Sequence, residues 1–361
     1  MASLNETGSE NDLKEHWGIR NVIKINRKSP PSGFKKYLYH LGNLVMKPHI
    51  PLTFIPYFES NVVTAAMKAV KGDRYDYILL DGLHLGALFL KKKLPVHSKI
   101  IYRAHNIESD LWKRSYEENN NLILKLLFLY QSRLVSKIES SIIQQAALVA
   151  PIAEEDKNYI KKIHPDSVVE LVPLGLNFSN ALASPEAGEI QFLFIGKLDW
   201  APNQDGLKWL LDEVWPQVIK RRPEAKLKIV GSGNGSWLND YKHLPGVIIR
   251  GFVKNIEDAY RDCHFTVVPV FYGSGTRIKV IESFVMNRRL ISTSMGVQGA
   301  HLRVADYERA ETKEEWINLL SSITYNDETE TKALASREYM SSHFCEHKIG
   351  QKFYKWLTTV S

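Results

Sequence analysis

The sequence predicts an α/β fold with two Rossmann-like domains, whose parallel sheets face a central cleft. Three observations support this prediction. The chain of 361 residues has room for two domains of ordinary size. From residue 75 onward, short apolar runs alternate with longer amphipathic stretches, as in parallel sheets joined by crossover helices. The apolar runs are too many for one comfortable doubly wound sheet, so a domain boundary is expected.

The predicted strands are short runs rich in β-branched and aromatic residues. They are Tyr77–Leu80, Lys99–Tyr102, Leu148–Ala150, Val168–Val172, Gln191–Ile195, Lys226–Val230, Val247–Arg250, His264–Val268 and Leu290–Thr293. Helical patterns lie between them, including Asp205–Arg221, Ile256–Cys263 and Arg277–Asn287. Before residue 75 the only strand-like run is Asn21–Ile25. Either the first domain starts one strand–helix unit late, or the sequence lacks its natural beginning.

The stretch from Val172 to Gln191 predicts the domain boundary, because Pro, Gly, Asn and Ser cluster there between apolar runs. We place the N-terminal domain at residues 1–172, a linker at 173–190 and the C-terminal domain at 191–340. Residues 341–361 are predicted to form a C-terminal helix that packs back toward the N-terminal domain. The sequence shows neither an internal repeat nor a low-complexity tract.

Composition and charge narrow the class of protein. The polar first twenty residues do not resemble a secretory signal, and no apolar run reaches the roughly 20 residues of a membrane span. Two cysteines are too few for a disulfide framework, so we expect a reducing cytoplasm. The net charge is +7, of which residues 1–175 carry +6, from 24 Lys and Arg against 18 Asp and Glu.

The basic excess is densest between Lys24 and Arg103, and it includes the run Lys91–Lys93. It favours either an ordinary solvated surface or attraction to an anionic membrane or an acidic substrate. Nucleic acid is not an expected partner, since no recognition motif accompanies the charge.

The segment "VVPVFYGSGTRIKVIESF", Val267–Phe284, predicts an anion site where a strand becomes a helix. Ligands of open parallel sheets bind beyond the carboxyl ends of the strands. Gly273 and Gly275 permit a close backbone approach and positive φ. Ser274 or Thr276 can cap a helix that starts near Arg277, whose N-terminus favours an anion.

Three charged residues of this segment predict how a ligand would be held. Arg277 and Lys279 add charges suited to phosphate oxygens. Glu282 lies beside the apolar stripe of the helix, where a carboxylate can accept hydrogen bonds from sugar hydroxyls. A nucleoside diphosphate would use all of these groups. The alternative is a capped helix with an ordinary salt-bridging surface glutamate.

Several stretches, in the same order, resemble glycosyltransferase family 4, a group with the GT-B fold. The segment above resembles its donor-site signature, and "FLFIGKLDWAPNQDGLKWLLDEVWP" (Phe192–Pro216) resembles the first unit of its donor domain. Further similar stretches are "KLKIVGSG" (Lys226–Gly233), "VIIRGFVKNIEDAYRDC" (Val247–Cys263), "LISTSMGVQG" (Leu290–Gly299) and, in the N-terminal half, "IIYRAHNIESDLWKR" (Ile100–Arg114). The resemblance covers most of residues 75–355 and is weak before residue 75.

The resemblance implies roles for individual residues of the donor domain. Glu282 would hold the ribose hydroxyls of a nucleotide sugar, and Lys197, after Gly196, would face the diphosphate. Phe252 and Val253 would lie against the base. The loop would contact the donor through Gly273, Ser274, Gly275 and Thr276, with Arg277 or Lys279 supplying charge. Lys197, Lys279, Glu282 and His105 are the expected catalytic residues.

The resemblance also implies chemistry without a cofactor. Family 4 enzymes are typically retaining and need no metal, and the chain has no Asp-x-Asp pair that would carry a metal-bound nucleotide. The sequence departs from the family pattern at three places. Ser274 stands where many members have a second glutamate, Asp205 replaces a basic donor residue, and Asn287–Arg289 replace small residues after the donor helix. We expect Arg277 or Lys279 to take over the missing charge.

In the N-terminal domain the resemblance places His105 in an acceptor-domain loop, against the transferred sugar or its phosphate. Without that context a lone histidine is more often structural. Asp81, His84 and Asn106 are expected on the acceptor side. The stretch 119–140 is amphipathic and basic, which fits a core helix better than a membrane-surface helix. The stretch "VGSGNG", Val230–Gly235, fits a tight turn better than a nicotinamide site, because Ser236 stands where a third glycine belongs.

The predicted function is transfer of a sugar, in the manner of a hexosyltransferase, from a nucleotide sugar to a glycan or lipid-linked acceptor. The pathway would be synthesis of a cell-surface polysaccharide or glycoconjugate. The expected location is the cytoplasm, with peripheral attachment to the inner face of the membrane. Two alternatives stay open, a nucleotide-sugar epimerase of the same architecture and a non-catalytic nucleotide-sugar-binding homologue.

Overall fold

The computed structural model describes residues 34–58, 60–71, 75–84, 98–179, 181–186, 188–273 and 275–359. The predicted strand Asn21–Ile25, the lysines Lys91–Lys93 and the loop residue Ser274 lie outside these ranges. By its contacts the chain divides into unit 1, Met1–Val172, and unit 2, Pro173–Thr359. The predicted linker therefore belongs to unit 2 by its contacts, and so does the described part of the C-terminal segment.

Unit 1 has a three-stranded parallel sheet in the order β1-β2-β3. Its strands are β1 (Tyr77–Asp81), β2 (Lys99–Ala104) and β3 (Leu148–Pro151). Its helices are α1 (Phe34–Met46), a 3₁₀ helix (Leu52–Tyr57), α2 (Ser60–Lys71), α3 (Glu108–Glu118), α4 (Leu122–Gln145) and α5 (Glu154–Ile163). The apolar side chains of β2 and β3 face α4, whose Val135, Ile142 and Ile143 are buried in the same core. This packing holds the carboxyl ends of β1 and β2 side by side.

The predicted strand Val168–Val172 does not form a full strand. Only one isolated bridge joins Val169 to Val149, although backbone hydrogen bonds continue from Glu170 and Val172 to β3. Val168 is half exposed, so one side of this segment lacks the cover that a central parallel strand needs. The segment is therefore an irregular edge that leads into unit 2.

Unit 2 has a six-stranded parallel sheet in the order β6-β5-β4-β7-β8-β9. The strands are β4 (Gln191–Ile195), β5 (Lys226–Val230), β6 (Val247–Gly251), β7 (Phe265–Val268), β8 (Arg289–Ser292) and the short β9 (Glu308–Arg309). The last of these was not predicted, since two charged residues give no strand pattern. The order reverses between β4 and β7, and loops on either side of such a reversal diverge and leave a crevice.

Helices cover both faces of this sheet and create two cores. They are α6 (Ala201–Trp209), a π-helical turn (Leu210–Val214), α7 (Trp215–Arg221), a 3₁₀ helix (Ser236–Tyr241), α8 (Ile256–Tyr260), α9 (Ile278–Val285), a 3₁₀ helix (Val304–Asp306), α10 (Lys313–Ser322), α11 (Asp327–Phe344) and α12 (Glu346–Thr359). No described helix is both long and apolar enough to cross a membrane.

The predicted helix Asp205–Arg221 begins earlier than expected, at Ala201. Pro202 fits the first turn of a helix, where its missing N–H costs nothing, so the helix starts before it rather than after it. The helix is tight against the sheet at Gly206, where a Cβ atom would lie 1.6 Å from the carbonyl oxygen of Pro269. This contact fixes α6 beside the loop that follows β7.

Candidate functional site

Two glycines hold the carboxyl ends of β4 and β5 together. A Cβ atom on Gly231 would lie 2.0 Å from the carbonyl oxygen of Gly196, and the amide of Gly196 donates a hydrogen bond to the carbonyl of Val230. Such an approach excludes every other side chain at Gly231. The predicted donor residue Gly196 lies at the carboxyl end of β4, the strand that borders the reversal in strand order.

The "VGSGNG" segment is a turn that joins β5 to a 3₁₀ helix, Ser236–Tyr241. Gly233 has φ +88°, and a Cβ atom there would meet the carboxylate of Asp199. A dinucleotide fingerprint opens an α-helix whose N-terminus receives the pyrophosphate, and this turn opens none. The structure therefore agrees with a tight turn at this position.

The glycine loop after β7 adopts the left-handed backbone that its sequence predicted. Gly273 has φ +109° and Gly275 has φ +82°. The predicted cap, however, is different: Arg277 is the N-cap residue of α9 and makes no side-chain capping bond. The hydroxyl of Thr276 instead donates to the carbonyl of Gly299, at 3.0 Å, and ties this loop to the loop after β8.

Arg277 is a buried cation without a carboxylate partner among the described residues. Only 6% of the residue is exposed, and its Nη atoms make long hydrogen bonds of 3.4 and 3.5 Å to the carbonyls of Gly275 and Tyr272. Its Nε–H is buried and has no described partner. Burial lowers the pKa of the guanidinium below its usual value. A buried donor of this kind is costly unless an anion completes it.

Lys279 is the second buried cation and lies in the first turn of α9. Its Nζ donates a 2.7 Å hydrogen bond to Oδ1 of Asn203 and lies 4.7 Å from the centre of the Phe194 ring. Burial, with a smaller effect of the Arg277 charge, lowers the pKa of Lys279 to about 7. Lys279 therefore gains a full charge readily when an anion arrives.

Glu282 lies on the same helix and is half-buried rather than fully exposed. Burial raises the pKa of its carboxyl to about 7, against the opposing effect of the nearby Lys279 charge. No described residue donates a hydrogen bond to this carboxylate. It is therefore available for the hydroxyl groups of a ligand.

The remaining predicted donor residues of unit 2 are more exposed. Lys197 carries its ammonium in solvent, 3.8 Å from Oδ1 of Asp199. Phe252, at the end of β6, exposes 67% of its surface, whereas Val253 packs against the core beneath it. Lys197 and Phe252 are thus free to contact a ligand, and Val253 mainly supports the loop.

The sequence analysis missed Asn203, which joins the loop after β4 to α9. Its Oδ1 accepts from Lys279, and its Nδ2 donates to the carbonyl of Lys197 at 2.9 Å. One helical face contains Asn203 together with Leu207, Leu210 and Val214. A polar residue on this apolar stripe was the sequence signal that could have identified Asn203 as a buried residue with a hydrogen-bonding role. Asp205 stands where the family has a basic donor residue, and its carboxylate accepts a hydrogen bond from the hydroxyl of Tyr272.

In unit 1 the structure brings together Asp81 and His105, at the ends of neighbouring strands. Nε2 of His105 lies 2.6 Å from Oδ1 of Asp81, and Nε of Arg103 lies 3.8 Å from the same oxygen. The hydrogen bond from His105 lowers the pKa of Asp81 below its usual value, more than burial raises it. The nitrogen Nδ1 has no described partner, so it is available for a hydrogen bond.

The other two predicted acceptor residues, His84 and Asn106, lie in different surroundings. The ring of His84 packs against Phe54, at 4.6 Å between centres, and against Tyr57, at 5.2 Å. Asn106 is half-buried in the loop before α3. His84 therefore has at least a packing role.

The arrangement in unit 2 can bind a polyanion next to a hydroxyl-bearing ring. Two buried cations lie beside a glycine loop, and an unpaired carboxylate follows on the same helix. A diphosphate supplies oxygens for Arg277 and Lys279, and a ribose supplies hydroxyls for Glu282. The described residues contain no cluster of His, Cys, Asp or Glu that would hold a metal ion.

Comparison with known proteins agrees with the family resemblance. Residues 189–321 match the family model described as Glycosyl transferases group 1. A curated relative from Klebsiella pneumoniae, "Uncharacterized 44.6 kDa protein in cps region", is 21% identical over 236 residues, which is 63% of this chain and 59% of the relative. The match thus spans less than two thirds of that protein.

Solved glycosyltransferase structures share the fold, and the predicted GT-B architecture is confirmed. Sucrose-phosphate synthase from Thermosynechococcus elongatus has a TM-score of 0.64 at 16% identity and covers 85% of this chain and 79% of its own. Anabaena HepE in complex with UDP has a TM-score of 0.62 at 14% identity and covers 91% and 90%. S. aureus TarM, in complex with Fondaparinux, alpha-GlcNAc-glycerol and UDP, has a TM-score of 0.62 at 15% identity and covers 82% and 58%.

Proposed function

We propose that this GT-B protein, with its group 1 glycosyltransferase segment, transfers a sugar from a nucleotide sugar to a glycan or lipid-linked acceptor. The observation that carries the proposal is the pair of buried cations, Arg277 and Lys279, which form no ion pair with a described residue. Such charges are expensive to bury unless a ligand neutralises them. The diphosphate of the donor is the anion that this site fits.

The proposed mechanism uses the residues of unit 2 to stabilise the leaving diphosphate. Arg277 and Lys279 hold its oxygens, and the N-terminus of α9 adds a favourable dipole. Lys197 adds a mobile charge from solvent, and Glu282 orients the nucleoside through its ribose. We propose that these charges replace a metal ion and that the sugar is transferred with retention.

The proposed acceptor side lies in unit 1. His105, oriented by Asp81, offers Nδ1 to a hydroxyl or a phosphate of the reacting sugars. The Klebsiella relative is named for a cps region. In keeping with it, we propose a role in the synthesis of a cell-surface polysaccharide or glycoconjugate, at the inner face of the cytoplasmic membrane.

A donor and acceptor screen tests this function. The full-length protein is incubated with a panel of nucleotide sugars, with and without glycan and lipid-linked acceptors, and nucleotide release is measured. The proposal predicts release that depends on an acceptor and persists in a chelator. Conversion of the donor without an acceptor would identify an epimerase, and binding without turnover would identify a non-catalytic homologue.

Lys197→Ala is the variant that tests the proposed mechanism. Because its ammonium is exposed and its only described ion pair is the long contact with Asp199, the fold should be unchanged. We expect turnover to fall about 100-fold, as when one charge aimed at a developing anion is removed. Lys208→Ala, on the neighbouring helix, is the matched control and should retain activity.

A further inference from the structure

An unusual set of apolar side chains is exposed at the start of α4. Leu122, Ile123 and Leu126 expose 71%, 78% and 61% of their surfaces. Farther along the same helix, Val135, Ile142 and Ile143 are buried in the core of unit 1. The helix therefore packs by its later turns and leaves its first turns apolar and uncovered by the described residues.

A second exposed apolar stripe lies at the end of α1. Leu41 and Val45, one turn apart, expose 60% and 71%, and Met46 exposes 78%. Leu44, on an adjacent side of the helix, packs against the core of unit 1. Isolated exposed leucines are ordinary, but grouped ones mark a surface that contacts another apolar phase.

The two stripes converge at Pro48. Leu122, Leu126 and Tyr130 follow one another at intervals of four on α4, and the hydroxyl of Tyr130 donates a 2.8 Å hydrogen bond to the carbonyl of Pro48. Pro48 lies two residues beyond Met46. We call the six exposed side chains on these helices the α1–α4 patch: Leu41, Val45, Met46, Leu122, Ile123 and Leu126.

The charge around the patch is mainly positive. Residues 39–58 contain Lys47 and no acidic residue, and residues 119–138 contain Lys125, Arg133 and Lys137 and no acidic residue. The acids just before this stretch are Glu117 and Glu118, at the end of α3. The first acid of α4, Glu139, is buried and caps α3 through the amides of Glu108 and Ser109. The partner of this surface is therefore both apolar and anionic.

We propose that the α1–α4 patch docks on an anionic lipid membrane, with its aliphatic side chains among the acyl chains and its cations at the headgroups. Basic helices with exposed leucines and isoleucines bind membranes in this way. A second copy of the chain fits the patch less well than a membrane, because a symmetric interface would bring the cations of α4 together and the exposed stretches of α1 and α4 carry no acid to pair them.

This inference extends the proposed membrane location and assigns it to a surface. It does not depend on the proposed chemistry, because vesicle binding is measured without a donor or an acceptor. A protein that binds vesicles but transfers no sugar would support this inference and contradict the proposed function. A protein that transfers sugar but does not bind vesicles would support the proposed function and contradict this inference.

Co-sedimentation of the full-length protein with vesicles tests the inference. Vesicles contain phosphatidylcholine alone or phosphatidylcholine with phosphatidylglycerol. We expect binding to the anionic vesicles at least tenfold stronger than to the neutral ones, and weaker as salt rises. The double variant Leu122→Asp/Leu126→Asp should lose at least tenfold in this binding. The matched control, Leu334→Asp on α11 of unit 2, replaces a leucine that is 52% exposed and should bind normally.

Charge reversal separates the electrostatic part of the binding. Lys125→Glu/Arg133→Glu/Lys137→Glu should bind anionic vesicles less tightly and with a shallower salt dependence. Lys161→Glu/Lys162→Glu, on exposed positions of α5 in the same unit, is the control. An environment-sensitive dye on Ile123→Cys should shift to the blue with vesicles, whereas the dye on Leu334→Cys should not.

Three results would overturn the inference. One is equal binding of wild-type protein to neutral and anionic vesicles, or binding to neither. Another is unchanged binding of Leu122→Asp/Leu126→Asp, with circular dichroism that matches the wild type. The third is a dimer in sedimentation velocity that this variant abolishes, since the patch would then hold a second copy.

Discussion

At the scale of single residues, the candidate site contains two groups, Lys279 and Glu282, whose pKa values lie near neutral pH. Burial lowers the pKa of Lys279 to about 7 and raises the pKa of Glu282 to about 7. The pKa of a lysine beside a phosphate rises again, and the pKa of a carboxylate that accepts hydroxyl hydrogen bonds falls. Donor binding therefore moves protons in opposite directions at the two residues.

The variant Glu282→Gln isolates the lysine. At pH 8 most of Lys279 is neutral in the free protein, so binding of the proposed nucleoside diphosphate to this variant should take up a proton, on the order of 0.5 to 1 per site. Calorimetry in two buffers of different ionisation enthalpy measures the uptake. The same variant should bind the proposed nucleoside diphosphate about tenfold less tightly than the wild type, because a charged acceptor of hydrogen bonds is lost.

The double variant Glu282→Gln/Lys279→Met supplies the control for this measurement. Without the lysine the proton uptake should disappear. An equal uptake in the two variants would mean that another group titrates on binding, and Lys279 would then have no place at the phosphates.

At the scale of elements, the position of α6 depends on a glycine. A Cβ atom on Gly206 would lie 1.6 Å from the carbonyl oxygen of Pro269, which belongs to the loop after β7. Helix α6 also carries Asn203, the partner of Lys279 on α9. A shift of α6 therefore loosens both the fold and the cation site.

Gly206→Ala should destabilise the protein by about 3 kcal/mol, since the backbone oxygen cannot move aside. Gly350→Ala on α12 is the matched control, because no atom lies within 4 Å of the added carbon. There the free energy of unfolding should rise by about 0.5–1 kcal/mol, the usual gain from Gly to Ala inside a helix. Urea unfolding of both variants measures the contrast, and similar effects of the two substitutions would refute the close contact.

At the scale of the whole molecule, stability depends on pH through two carboxyl groups of unit 1, Glu108 and Asp156, whose pKa values are raised in the folded protein. Burial, with a contribution from Glu139, raises the pKa of Glu108 to about 7, and burial raises the pKa of Asp156 to about 6. The pKa values of both groups are higher in the folded protein than in the unfolded chain. Their contribution to the free energy of unfolding is therefore fully present only at low pH. It is lost as the pH rises through about 6 and 7.

Glu108→Gln should remove much of this pH dependence. Between pH 6 and pH 8 the wild-type protein should lose about 1 kcal/mol through Glu108, and the variant should not. Calorimetric scans at the two pH values measure the difference. Glu117→Gln, on the exposed face of α3, is the control and should behave as the wild type. A Glu108→Gln variant that loses as much stability as the wild type between pH 6 and pH 8 would contradict the prediction.

The architecture followed from the sequence because parallel strands and crossover helices have strong apolar patterns. The strands β4, β5 and β6 lie within a residue or two of their predicted bounds, and the glycine loop has the backbone that its residues require. Asn203 and the Asp81–His105 pair were not linked in advance, because they join residues far apart in the chain. The half-burial of Glu282 depends on packing that a single helix pattern does not contain.

The adjacent arginines Arg288 and Arg289, at the start of β8, have a consequence for synthesis of the chain. Arg288 donates hydrogen bonds to the carbonyls of Tyr260, Arg261 and Ala183, and Arg289 pairs with Glu308 and donates to the carbonyl of Asp306. Both guanidinium groups are almost completely buried. A nascent chain that ends before Glu308 leaves Arg289 without its carboxylate. The two cores of unit 2 also contain Trp316 and Phe344. Unit 2 therefore completes its native core only after synthesis has passed residue 344, and until then both its apolar strands and these arginines lack part of their native cover.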